Sequence, residues 1–154
     1  MASTITSAPL VVKITESCTL NGVQQGGTYT KTISGINEIS KRIVTATTTL
    51  STVLSFSTAV AAGTYIIANV KYIRLTNLGS VDVTVQINSS AATEAASFII
   101  GAGESFMLFD IDDAFGAAAA TSALAANADI SSIQLDTAGS GGEVSNVEIL
   151  VASS

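Results

Sequence analysis

The densest group of ligating side chains in the sequence is Asp110-Ile111-Asp112-Asp113. Carboxylates so close together can contribute to a Ca²⁺ site, which needs about six to eight oxygen ligands. The glycine at the sixth loop position and the distal glutamate of an EF-hand are both absent. Asp112 and Asp113 equally suit the start of a helical stretch in the Ala-rich residues that follow, where a side-chain oxygen caps free N–H groups and negative charge opposes the helix dipole. Both readings stand at this point: Asp110, Asp112 and Asp113 as metal ligands, or as capping and solvated acids.

Beyond that group the residue types needed for catalysis are scarce. The chain has no His, no Trp and one Cys. Without His it lacks the commonest general base and metal ligand, so Ser-His-Asp, Cys-His and His-containing zinc arrangements are excluded. Cys18 is expected to lie on the apolar side of a strand with no base beside it, as a buried and inert thiol. Gly101-Ala102-Gly103-Glu104 has the glycines of a phosphate loop but no Lys and no following helix, which leaves a turn. Paired carboxylates across a cleft could hydrolyse a glycoside, but the remaining acids are scattered and exposed Trp platforms for sugar rings are absent. The expectation is a protein without catalytic residues, cofactor or resident metal.

Charge is distributed unevenly. The net charge is −6, yet the six basic residues (Lys13, Lys31, Lys41, Arg42, Lys71 and Arg74) all precede position 75, beside only Glu16 and Glu38. The ten remaining acids follow, with no base among them. In one domain such a division can set a basic face against an acidic one and favour contact with a partner; interleaved strands could equally scatter the charges. Lys13, Lys31, Lys41 and Arg42 are the candidate partner-binding residues. Six dispersed cations are too few for a nucleic-acid interface. No apolar run approaches the ~18 residues of a membrane span, and Met1–Pro9 lacks the basic start and apolar stretch of a signal peptide. No direct nucleic-acid partner and no membrane are expected.

The elements that must hold these residues read as strands. At 154 residues and 47% hydrophobic content the chain suits one domain over 1–154, with residues 1–9 as an N-terminal arm. Val12, Ile14, Cys18 and Leu20 alternate with polar residues up to Asn21-Gly22, a pair that tolerates positive φ and marks a turn. A second run spans Thr28 to Ser34 and stops at Gly35. Ile39–Ala46 and Leu50–Ser57 follow, around Thr47-Thr48-Thr49. Lys71–Thr76 and Val81–Ile87 are expected to form a hairpin through Asn77-Leu78-Gly79-Ser80, and Ser97–Ile100 and Ser105–Phe109 a second one through Gly101–Glu104. Ile130–Leu135 and Val144–Val151 close the chain. Residues 113–128, Ala-rich from Phe115 on, are expected to form a short helical or irregular insertion. The fold class is therefore all-β: an antiparallel β-sandwich resembling a jelly roll.

Several phrases taken together resemble a known group. They are Thr15-Glu16-Ser17-Cys18-Thr19-Leu20-Asn21-Gly22, Thr32-Ile33-Ser34-Gly35-Ile36-Asn37-Glu38-Ile39, Val70-Lys71-Tyr72-Ile73-Arg74-Leu75-Thr76-Asn77, Gly103-Glu104-Ser105-Phe106-Met107-Leu108 and Val147-Glu148-Ile149-Leu150-Val151-Ala152. The chain resembles small β-rich virion structural proteins of marine tailed bacteriophages. The resemblance spans nearly the whole chain and carries no active-site residues. It implies a non-enzymatic decoration or cement protein, made in the host cytoplasm, on the exterior of the capsid. Its expected partners are the major capsid protein and copies of itself, for example as a trimer. The alternative is a tail, baseplate or fibre component that contacts a host surface or glycan.

Overall fold

A computed structural model describes residues 5–90, 95–109, 129–137 and 142–154. The abundance of Thr, Val and Ile in short alternating runs favours pleated backbone, and the described chain is all-β. Its strands are β1 (Ala8–Thr15), β2 (Thr19–Leu20), β3 (Val23–Gln24), β4 (Thr28–Ile36), β5 (Glu38–Ala46), β6 (Ser51–Ser57), β7 (Tyr65–Ile66), β8 (Val70–Asn77), β9 (Val83–Ser89), β10 (Ala95–Ile100), β11 (Ser105–Phe109), β12 (Ile130–Thr137) and β13 (Ser145–Ser153). The one helical element among the described residues is a single 3₁₀ turn, Ile67–Asn69. The expected insertion near 113–128 lies outside the described residues. Ala8 and Pro9, assigned from the sequence to an arm, already belong to β1.

Two larger sheets carry the core. One has the order β11-β8-β13-β5 and is antiparallel throughout. The other has the order β10-β9-β12-β6-β7, antiparallel except where β7 joins β6 in parallel. Alternation decides which side chains meet. Val83, Val85 and Ile87 of β9, Ile133 and Leu135 of β12 and Leu54 and Phe56 of β6 join Ile73 and Leu75 of β8 and Val147, Ile149 and Val151 of β13 in one apolar cluster. Most of these are less than 2% exposed, and each buried aliphatic contributes roughly 1.5–3 kcal/mol before chain entropy is set against it.

The connections between the sheets correct the hairpin expectations. β8 and β9 do not pair with each other; β8 pairs with β11 and β13, and β9 with β10 and β12. Likewise β10 lies in one sheet and β11 in the other. Asn77–Val81 and Gly101–Glu104 are therefore arches that carry the chain from sheet to sheet, as do the β5–β6 and β12–β13 connections. The reason is visible at Asn77, which is fully buried. Its amide nitrogen donates to the carbonyls of Val81 (2.7 Å) and Ile100 (3.1 Å), and its Oδ1 accepts from the Gly79 N–H (3.1 Å) and the Ser145 hydroxyl (2.7 Å). One side chain thus binds three neighbouring arches. Gly79 must be glycine there, because a Cβ would overlap Ser145 Oγ.

A third unit is a long ribbon. β1 and β4 pair antiparallel, with Thr15 opposite Thr28. Beyond them the Glu16 N–H bonds the Gly27 carbonyl (2.8 Å) and the Gln25 N–H bonds the Cys18 carbonyl (2.8 Å), leading into the β2–β3 pair. Asn21 (φ 51°) and Gly22 (φ 78°) turn the tip, as their types predict. Gly35 does not end β4. It takes φ 76° inside the strand, at an irregularity that lets Ile33 and Ile36, three residues apart, both point inward.

Candidate functional site

The inner face of the ribbon lies on the outer face of the β11-β8-β13-β5 sheet. Ile33, Ile36, Tyr72 and Ala152 form a second buried cluster there, flanked by Leu10, Val12, Met107, Phe109 and Leu150. The Tyr72 and Phe109 rings pack with centroids 5.1 Å apart. Burial raises the Tyr72 phenol above its ordinary pKa, against a smaller opposing pull from Arg74. This seat holds only the base of the ribbon. At the tip, every residue from Glu16 to Gly27 is exposed except the half-buried Gly26.

The tip presents an apolar pair. Leu20 and Val23 face each other across the turn and are 62% and 58% exposed. Val11 and Tyr29 add exposed apolar surface lower on the ribbon. Cys18 corrects its expectation: it is exposed, because β1 ends at Thr15 and the alternation that would reach Leu20 is broken before it. A two-stranded ribbon is at best marginally stable alone in water, so this tip depends on its anchored base. A Cβ on Gly26 would overlap the Glu16 carbonyl, so the two strands close tightly there.

The four basic candidates do not form one patch. Lys13 lies opposite Thr30 on the outward face of the ribbon, and Lys31 lies opposite Val12 on the other face; both are exposed. Neither makes an ion pair among the described residues. Lys41 and Arg42 are adjacent on β5 and point to opposite faces. Lys41 pairs with Glu148 at 2.9 Å, and Glu148 also pairs with Arg74. The hydrogen bond from Lys41, joined by that from Arg74, holds the Glu148 carboxyl below its ordinary pKa. Arg42 donates to the Val53 carbonyl of β6. Lys41 and Arg42 are thus engaged within the fold, while Lys13 and Lys31 are free to meet a partner. A groove of about 450 Å³ runs beneath β1, lined by Leu10, Val12, Ile14, Tyr72, Met107 and Leu150 among others.

The opposite surface, the outer face of the second sheet, is polar and self-bonded. Gln134 donates to Thr52 (2.9 Å), Gln86 to Asn88 (2.8 Å), and Asn88 to Ser132 (3.0 Å). Nothing in the sequence singles out this ladder or Asn77; both depend on which strands become neighbours. Asp110, Asp112 and Asp113 lie outside the described residues. Among the described residues no three His, Cys, Asp or Glu side chains gather as metal ligands, and no helix is long and apolar enough to cross a membrane.

No protein-family model, curated protein or solved structure matches this chain.

Proposed function

We propose that the chain is a non-enzymatic structural protein of a tailed-bacteriophage virion, a decoration or cement protein that binds the outer head surface and stabilises the shell. The observation that carries this reading is the ribbon: an element anchored at its base, with an exposed apolar tip and two lysines that form no ion pair among the described residues. Such a ribbon would reach a neighbouring subunit of the shell and bury Leu20, Val23 and Val11. Each contact would favour the assembled state by mass action, and many copies would multiply the effect. The resemblance of several phrases to phage virion proteins supports the same reading.

We read the two larger sheets as a jelly-roll sandwich. The order β5-β13-β8-β11 in one sheet and β6-β12-β9-β10 in the other supports it, with each strand of the first joined by an arch to its counterpart in the second. Such a rigid frame suits a protein whose role is to hold surfaces together.

The test is the copy number of the chain in purified particles, by quantitative mass spectrometry against the major capsid protein. About one copy per capsid subunit, or per three, supports the head-surface role. A far lower ratio assigns the chain to the tail, and absence from particles refutes the virion reading.

A further inference from the structure

We infer that the ribbon of one copy docks on the arch end of a second copy, in a head-to-tail contact. The ribbon supplies exposed Val11, Leu20, Val23 and Tyr29, together with Lys13 and Lys31, which form no ion pair among the described residues. The arch end supplies the complement. Leu50, Leu78 and Val144, one from each of three arches, are 40%, 52% and 56% exposed. Asp82, Glu104 and Glu143 stand beside them on the arches, and none of the three forms an ion pair among the described residues. Backbone hydrogen bonds between Asn77 and Glu104, and between Leu78 and Asn146, hold these arches side by side.

Each surface therefore combines apolar side chains with charge of one sign, and the signs are opposite. All of these side chains stay exposed within the single chain, so the covering surface has to come from another molecule. Because the two surfaces differ, the contact is heterologous: it propagates from copy to copy, closing into a ring or extending as a chain. Self-association of this kind deepens the structural reading above, rests on it for its setting, and names the neighbour that receives the ribbon.

The test uses the free full-length chain in sedimentation or light-scattering measurements of mass. The expected result is a mass above the 15.5 kDa of the single chain that rises with concentration and falls as salt is raised from about 0.05 M to about 1 M. Lys13→Glu with Lys31→Glu should give a monomer, as should Asp82→Lys with Glu143→Lys. Mixing these two variants should restore assembly, because the acidic ribbon of one then meets the basic arch end of the other. Circular dichroism checks that each variant is folded. A monomeric wild type at all concentrations would overturn the inference, as would assembly indifferent to both pairs of reversals. The copy number in particles reads the virion role independently, so failure of the one is distinguishable from failure of the other.

Discussion

Replacing Asn77 by Ala removes the centre of the arch system. Four hydrogen bonds go with it: two donated to the Val81 and Ile100 carbonyls and two accepted from Gly79 and Ser145. At a net contribution of about 1 kcal/mol each, the loss is about 4 kcal/mol, and partners left buried without water would increase it. A domain of this kind has a total stability of about 5–15 kcal/mol, so the effect is large. In urea unfolding, with a slope of about 2 kcal/mol per M, the midpoint should fall by about 2 M with the slope unchanged. Ser145→Ala should cost about 1 kcal/mol, and the double variant less than the sum, because the two share a bond. A loss below about 1 kcal/mol for Asn77→Ala would refute the view that this side chain holds the arches together.

Gly79→Ala should destabilise by about 1–3 kcal/mol through overlap with Ser145, whereas Gly27→Ala, where a Cβ meets nothing within 4 Å, should stay within about 0.5 kcal/mol in the same unfolding assay. The Glu148 carboxyl is depressed by Lys41 and Arg74, so its stabilising effect is present above the ordinary glutamate value and is lost as pH falls through the lower folded value. Comparing wild type with Glu148→Gln across that acid range should show the difference between them shrinking as pH falls; a constant difference would exclude the linkage.

Much of the strand content is legible in local pattern. Val83, Val85 and Ile87 alternate with Thr84 and Gln86 because a strand turns successive side chains to opposite faces, and Asn21-Gly22 turns because both residues accept positive φ. The arches are not legible. Asn77-Leu78-Gly79-Ser80 has the same turn chemistry whether the flanking strands pair with each other or face each other across a core. Cys18 escapes the alternation rule for a related reason: the apolar pattern runs on past Thr15, where the strand itself ends.

Sequence by itself determined the β character of this protein, its lack of histidine chemistry and the division of its charges along the chain. Tertiary structure decided which strands are neighbours, and with them the Asn77 junction, the pairing of Lys41 with Glu148, and the exposure of Lys13 and Lys31. The physical reason is range. Backbone preference and alternation act between adjacent residues, whereas burial, ion pairing and exposure depend on residues brought together from distant parts of the chain.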